Sequence, residues 1–478
     1  MTGTLMVGVS GIRGIVGKDL TDEIVARYAR AFGRWAKGRA GGARNPLVVV
    51  GRDARESGAA FERAVTDALR SVRCDVVQLG VVPTPTVQLA VEHHHAGGGI
   101  AITASHNPIE WNALKFIGPD GIFLDGKDGR RVLELVGEDG GGRGRTGEAR
   151  TDDQAIARHL AAVLELPAVD VAGVRARKLT VALDTVRGAG GPVMRELLER
   201  LGCRVEGINL ETDGQFPRPP EPVPENLGDL AALVQRTGAV FGIAVDPDVD
   251  RLAIVDDRGM PIGEDYTLAF AVRAVFGVGA SDSRTVGLQS GGLSDRPTDR
   301  RTVVCNLSTS LVVEDAAREF GAEVVRTPVG EVHVARKILA LGAPIGGEGN
   351  GGVMYPALHV GRDAPVAAAL LLTLLARSGT RVSELVAAAP RYVIVKAKLE
   401  RGTRNAERGM EEIYAALRRR FPEASVDTQD GLRLAWSDRW LHVRPSNTEP
   451  IIRLIAEAPI RADAERLIEE GRRPCAGS

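Results

Sequence analysis

Three aspartates stand at alternate positions in Asp246-Pro247-Asp248-Val249-Asp250-Arg251. Carboxylates this close repel one another unless a positive charge lies among them. Oxygen ligands with no neighbouring His or Cys suit a hard divalent cation, Mg²⁺ rather than zinc. An EF-hand calcium loop needs Gly at its sixth position, where Arg251 stands, and helices on either side. Here residues 239–245 and 252–255 are apolar runs that read as strands. The plainer alternative is a solvated acidic turn. Arg251 adds a guanidinium suited to a phosphate oxygen. A second string, Thr103-Ala104-Ser105-His106-Asn107-Pro108, follows the apolar run 98–102. It therefore falls at the C-terminal end of a strand, where open α/β sheets place ligands. Pro108 biases Asn107 away from helix, so Ser105 sits on a shaped turn from which its hydroxyl could attack or carry a phosphoryl group. Lys115, ten residues on, could neutralise phosphate charge or exchange a proton. A hydrogen-bonded turn with no chemistry is the alternative. A serine hydrolase fits less well: there is no G-x-S-x-G elbow, and His106, adjacent in sequence, is poorly placed as a base toward Ser105.

Three further strings carry donors or close backbone. Gly346-Gly347-Glu348-Gly349-Asn350-Gly351-Gly352 lets the backbone approach a ligand, while Glu348 and Asn350 match vicinal sugar hydroxyls. No Lys-Ser/Thr follows, so it is not a P-loop, and a flexible turn remains open. Arg444-Pro445-Ser446-Asn447-Thr448-Glu449-Pro450, with Arg453 beyond, is a dense donor set of the kind a phosphate dianion needs, or a polar hairpin loop. In Ser10-Gly11-Ile12-Arg13-Gly14, Arg13 either reaches a ligand or occupies a surface turn.

These strings need elements to position them. An amphipathic helical pattern followed by a Val-rich strand recurs at 58–79, 191–210 and 310–328, preceded each time by a strand run at 47–50, 180–183 and 302–307. Strand–helix–strand alternation argues for parallel sheets, and three copies for three related α/β domains. After about residue 383 the pattern becomes α+β: a strand at 392–399, a helix at 405–420, strands at 432–436, 440–443 and 451–456, and a helix at 462–472. The expected division is 1–150, 151–259, 260–382 and 383–478. Residues 137–153 read as a linker or surface loop and 281–301 as an exposed insertion.

Composition excludes several classes. Sixty-one Lys and Arg offset 62 Asp and Glu, so no general attraction to nucleic acid or anionic lipid follows. The apolar run 366–376 is too short to span a bilayer and reads as a buried helix. The N-terminus lacks the pattern of a signal peptide. The four cysteines, at 74, 203, 305 and 475, have no metal-ligand spacing and fit free thiols in a reducing cytoplasm.

Taken together the strings SGIRG, TASHNP, DPDVDR, GEGNGG and RPSNTEP resemble the alpha-D-phosphohexomutase family, in the family's order and over essentially the whole chain. The resemblance implies four domains around a central cleft, the first three sharing an α/β topology. It implies that Ser105 is a phosphoserine, and that Asp246, Asp248 and Asp250 bind Mg²⁺ together with an oxygen of its phosphate. Arg13 and Lys115 are then the proton-transfer residues, with His106 close by. Glu348 and Asn350 match the sugar-contacting loop, and Arg444, Ser446, Asn447, Thr448 and Arg453 the loop that holds the substrate's phosphate. The implied reaction moves a phosphoryl group between O1 and O6 of a hexose through a bisphosphorylated intermediate, with hexose 1,6-bisphosphate as activator. Ala113, Pro247 and Gly352 depart from the usual Gly, Gly and His. GEGNGG is similar to the archaeal-type phosphoglucosamine mutase and phosphomannomutase branch, pointing to glucosamine phosphate, with mannose or glucose phosphate as the alternative. A metal-dependent sugar phosphatase and a non-catalytic sugar-phosphate binding protein are the competing classes. The expected partner is a small sugar phosphate, with no nucleic acid and no membrane, in a monomer or homodimer.

Overall fold

The computed structural model describes residues 5–39, 45–138, 146–277, 301–400, 409–446 and 451–476. Three of its sheets repeat one plan. In the first, Leu47–Arg52 pairs in parallel with Asp75–Val81 on one side and Gly98–Ile102 on the other, and Trp111–Ile117 lies antiparallel beyond Gly98–Ile102. In the second, Thr180–Asp184 lies between Arg204–Ile208 and Phe241–Val245, with Leu252–Val255 antiparallel at the end. In the third, Thr302–Asn306 lies between Glu323–Thr327 and Ile345–Glu348, with Gly352–Met354 antiparallel.

Parallel neighbours require crossovers. Helices Gly58–Ser71, Gly190–Arg200 and Leu311–Arg318 supply the first in each copy, and Thr84–His93, Gly228–Thr237 and Glu331–Leu341 the second. Only the last two strands of each copy are antiparallel, so only they can be joined by a short hairpin. Those three hairpins are the TASHNP, DPDVDR and GEGNGG strings. The three chemistry-bearing loops are thus one structural position repeated, each at the C-terminal end of a central parallel strand.

The central strands are buried along their whole length, as both-face-covered parallel strands must be. One apolar core spans the second and third sheets, and helix Ala364–Ser378 runs through it with Val366, Leu370 and Leu372 fully buried. The first sheet has a core on each face. The fourth unit is a five-stranded antiparallel sheet in the order Val393–Glu400, Ile451–Ala458, Trp440–Pro445, Leu432–Ala435, Ser425–Asp427. Helices Met410–Arg420 and Arg461–Ala476 pack Leu417, Leu467 and Ile468 onto the apolar face of its alternating strands.

Several elements differ from the sequence reading. Residues 149–151, read as part of a linker, form a short strand on the edge of the first sheet beside Asp75–Val81. All three are exposed, so no apolar alternation marked them. Ser425–Asp427, another short polar edge strand, escaped for the same reason. The helix expected at 405–420 is described from Met410, and most of the insertion expected at 281–301 lies outside the described residues. At the N-terminus a hairpin of Met6–Gly8 and Gly11–Ile15 extends the first sheet next to Trp111–Ile117. Gly11 stands opposite Lys115 at φ +146°, and a Cβ there would fall 1.9 Å from the Leu114 carbonyl oxygen, so only glycine fits. Among the described residues no single helix is long and apolar enough to cross a membrane.

Candidate active site

The hairpin loops of the first two copies meet face to face. The Ser105 hydroxyl donates to Asp246 Oδ2 at 2.7 Å, joining two residues 141 positions apart. Ser105 is buried and holds φ at +48°, a left-handed conformation uncommon outside glycine. The turn is held there by a residue that no motif reading singled out. Arg55, 1% exposed, donates to the carbonyl oxygens of Ser105 at 2.6 Å, Asn107 at 2.7 Å, Pro108 at 2.7 Å and Trp111 at 2.9 Å. Its Nε bonds Asp53 at 3.1 Å, and the Phe216 ring lies 5.0 Å from the guanidinium carbon. Asp53 also accepts from Thr103, whose hydroxyl oxygen accepts the Ser105 N–H. The only sequence hint was the polar string Arg52-Asp53-Ala54-Arg55 directly after a buried strand.

The DPDVDR loop is tightened in the same way. Asp246 Oδ1 accepts from the N–H groups of Asp250 and Arg251, both at 3.2 Å, and Val249 turns its buried side chain inward at φ +61°. A β-branched residue in the left-handed region is strained and persists only when its surroundings fix it. All three aspartates are buried, and one oxygen from each lies within 4.8 Å of the others. Their remaining oxygens are distributed unevenly. Asp248 Oδ2 takes Lys115 Nζ and the Thr84 hydroxyl, both at 2.7 Å, and Asp250 Oδ2 takes Arg362 Nη2 at 2.6 Å. Asp248 Oδ1 and Asp250 Oδ1 are buried without a hydrogen-bond partner. Two orphaned carboxylate oxygens in an all-oxygen cluster are the donor set a hard cation takes, so the residues present fit Mg²⁺.

Charge within the site follows from burial and neighbours. Burial, then Asp250 and Asp248, push the Asp246 carboxyl well above the usual carboxylate range. Burial also opposes the charge on Asp248, but Lys115 and the Thr84 hydroxyl outweigh it and hold that carboxyl low. For Lys115, burial works against the ammonium while Asp248 and Asp250, the latter at 3.6 Å, prevail and raise its pKa. Lys115 is therefore held protonated beside the aspartate cluster. His106 Nδ1 lies 3.3 Å from the Ser105 hydroxyl, closer than adjacency in sequence suggested. Its basicity is nonetheless removed: Arg251, then burial, then Arg13 push it down to about 2.

The other expected residues take these places. Arg13 reaches the loop by donating to Asn107 Oδ1 at 2.7 Å. Arg251 lies 3.7 Å from both Asp250 and Glu221. Glu348 joins the metal cluster through Arg362, which donates to its Oε2 at 3.1 Å. Asn350 accepts the Gly352 N–H and so helps form its own turn. Arg444 lies in the fourth unit, paired with Asp430 at 3.1 Å, on a strand beside Arg453. Ser446 follows that strand with its N–H bonded to the Ile451 carbonyl. Asn447 and Thr448 lie outside the described residues. Thr84, Asp53, Arg55 and Arg362 are the functional neighbours that motif reading missed.

A serine hydroxyl set against an aspartate cluster built for a cation, at the strand ends of repeated α/β units, defines the class: a metal-assisted phosphotransferase. The chain matches, in order, the phosphoglucomutase/phosphomannomutase alpha/beta/alpha domain I over residues 4–140, domain II over 157–259, domain III over 287–392 and the C-terminal domain over 394–473. A Thermococcus kodakarensis protein named "Phosphoglucomutase/phosphomannomutase" is 37% identical over 472 residues, 98% of this chain and 97% of that one. A Methanopyrus kandleri protein named "Probable phosphoglucosamine mutase" is 36% identical over 466 residues, 97% of this chain and 96% of its own. The crystal structure of a phosphoglucomutase/phosphomannomutase family protein from Burkholderia thailandensis aligns with a TM-score of 0.79 at 28% identity, covering 98% of this chain and 97% of that one. The chain belongs to the phosphoglucomutase/phosphomannomutase family and is a phosphohexomutase, an isomerase that works by intramolecular phosphoryl transfer.

Proposed function

We propose that this phosphohexomutase interconverts glucosamine 6-phosphate and glucosamine 1-phosphate, with Ser105 as the carrier of the phosphoryl group. The observation that carries the reading is the 2.7 Å contact between the Ser105 hydroxyl and the aspartate cluster. In the forward half, the hydroxyl oxygen of the hexose monophosphate attacks the phosphorus on Ser105. The new sugar O–P bond forms as the Ser105 Oγ–P bond breaks, and the proton lost by the sugar hydroxyl is balanced by the one gained at Ser105 Oγ. The bisphosphorylated sugar then turns end for end and returns its other phosphoryl group to Ser105. Lys115 would relay the proton, giving one to the departing Ser105 oxygen and taking one from the sugar hydroxyl, and its charge, sustained by Asp248 and Asp250, would offset that of the phosphoryl group. Arg13 and Arg251 place positive charge around the transferring group, and His106 offers a neutral ring next to it.

Asp246, Asp248 and Asp250, with an oxygen on phosphorylated Ser105, would hold one Mg²⁺ per chain. Bound there, the ion would withdraw charge from the transferring phosphoryl. Glu348 and Asn350 would address the sugar hydroxyls. Arg444, Ser446, Asn447, Thr448 and Arg453 would grip the idle phosphate. Because the cycle needs Ser105 phosphorylated before it starts, a hexose 1,6-bisphosphate is the activator. The partner is a small sugar phosphate, without nucleic acid or membrane. The enzyme works in the cytoplasm as a monomer or homodimer, in keeping with four free, buried cysteines.

The choice of glucosamine phosphate draws on the GEGNGG loop and on the name given to the Methanopyrus kandleri relative; the name of the Thermococcus kodakarensis relative favours glucose and mannose phosphates. The 6-phosphates of glucosamine, glucose, mannose and N-acetylglucosamine should therefore be ranked by kcat/KM, with inorganic phosphate release followed in the same reactions. Glucosamine 6-phosphate should rank first, with phosphate release a small fraction of isomerisation. A preference for mannose or glucose phosphate would overturn the sugar assignment, and phosphate release matching or exceeding isomerisation would overturn the mutase reading of the site.

A further inference from the structure

We propose that Arg362 is the positioning residue that sets the sugar-contacting loop against the metal cluster, and that Gly352 is the residue that admits it. The proposal rests on the reading of Asp246, Asp248 and Asp250 as the metal site and of Glu348 as a sugar contact. Arg362 is 7% exposed and spends its guanidinium on three carboxylates from two of the repeated units. Nη2 donates to Asp250 Oδ2 at 2.6 Å, Nη1 to Glu348 Oε2 at 3.1 Å, and Nε lies 3.0 Å from Glu331 Oε2. It takes Oδ2 of Asp250, while Oδ1 is buried without a hydrogen-bond partner. By taking Oε2 of Glu348 it completes a clamp whose other half is Oε1, which accepts from Asn306 Nδ2 at 2.9 Å and from the Gly330 N–H at 3.2 Å. Three donors on one carboxylate fix its plane, and Arg362 is the only charged one and the one on Oε2, so the orientation offered to a sugar hydroxyl depends on it.

The backbone that follows it is anchored independently. Asp363 caps helix Ala364–Ser378 through the Val366 N–H at 2.9 Å, and it accepts from His159 at 2.8 Å and His359 at 2.9 Å. From that anchor the Arg362 side chain runs through the space a side chain at 352 would fill. A Cβ on Gly352 would lie 2.3 Å from Arg362 Cδ and 2.8 Å from its Cγ. These are mid-chain atoms, so the side chain would have to shift from its present path.

The test uses the full-length protein carrying Ser105→Ala, which cannot transfer phosphate, at saturating Mg²⁺. Calorimetry measures binding of glucosamine 6-phosphate and, separately, of inorganic phosphate. Arg362→Met should weaken glucosamine 6-phosphate by about tenfold or more, the scale of a charged hydrogen bond, and leave inorganic phosphate within twofold. Gly352→Ala should do the same, and the double variant should lose no more than either single one. Sugar-phosphate affinity within twofold of the parent, parallel loss of inorganic phosphate, or multiplying losses in the double variant would each overturn the proposal. A Ser105→Ala parent that binds neither ligand would overturn the functional reading beneath it, a result distinct from the other three.

Discussion

Replacing Arg55 by lysine isolates the device that shapes the nucleophile's loop. The change keeps the positive charge next to Asp53 but replaces a five-donor fork with a single ammonium. Arg55 serves four backbone carbonyls spread from residue 105 to residue 111, plus one carboxylate. An ammonium has three protons on one atom, so at least two of these five acceptors lose their donor. A buried acceptor left unpaired costs about 1–3 kcal/mol, so the loop loses roughly 2–6 kcal/mol of support. Ser105 is held at a positive φ that itself costs on the order of 1 kcal/mol or more. Unsupported, it should relax and carry its hydroxyl away from Asp246. A displacement of about 1 Å at a reacting atom is worth about a hundredfold in rate. The expected result in a coupled mutase assay is a kcat about 100-fold lower with KM for the sugar phosphate changed less than about threefold, because the loops proposed to hold the sugar and its phosphate are untouched. The melting temperature should fall in the same preparation. A kcat within about threefold of wild type and an unchanged melt would refute the claim that this arginine holds the serine in place.

Three further outcomes follow from the same structure. Excess chelator should abolish isomerisation and added Mg²⁺ restore it, since two buried aspartate oxygens are left for a cation; full activity in chelator would remove the metal from the account. Burial pushes the Asp265 carboxyl up to about 8, although a hydrogen bond from the Ser310 N–H favours its charge. A folded pKa above the unfolded value of about 3.9 stabilises fully below that value and loses the contribution as pH rises toward 8. Asp265→Asn, which keeps the acceptor, should melt with wild type near pH 4 and above it at pH 9, and an equal difference at both would contradict this. Glu457 is fully buried where the fourth unit meets the third, accepting from the Ser310 hydroxyl, the Leu311 N–H at 2.9 Å and Trp440 Nε1 at 2.6 Å. Glu457→Leu leaves the Leu311 N–H and Trp440 Nε1–H buried without their acceptor, at about 1–3 kcal/mol each, and should speed limited proteolysis between residues 379 and 393; an unchanged cleavage rate would argue against the contact as a fastening.

What the sequence made legible, and what it hid, divides along a physical line. Residues 98–102 and 241–245 are continuous apolar runs because parallel strands are covered on both faces, whereas the strand at 345–348 was hidden inside what reads as a glycine-rich loop. The loops were recognisable from their residue types: three alternating carboxylates, costly without a cation, a serine on a turn shaped by Pro108, and a glycine cluster. Arg55 and Arg362 were not legible. Arg55 acts on carbonyls about fifty positions away and Arg362 on an aspartate 112 positions away, and an arginine in a string of ordinary composition gives no local sign of being buried. Gly352 could be noted as a departure, but the steric reason for it exists only once Arg362 is threaded past it. The repeat itself was visible as alternating strands and helices; that the three active loops occupy the same hairpin in each copy required the pairing order of the strands.

The central claim is that the phosphoryl group travels on Ser105. A single-turnover experiment reads this directly: enzyme labelled with a radioactive phosphoryl group is mixed with unlabelled hexose monophosphate and quenched at short times. The label should begin on the peptide containing residue 105 and move to the bisphosphorylated sugar at least as fast as kcat. Label that never resides on that peptide, or that stays there while product accumulates, would contradict the account.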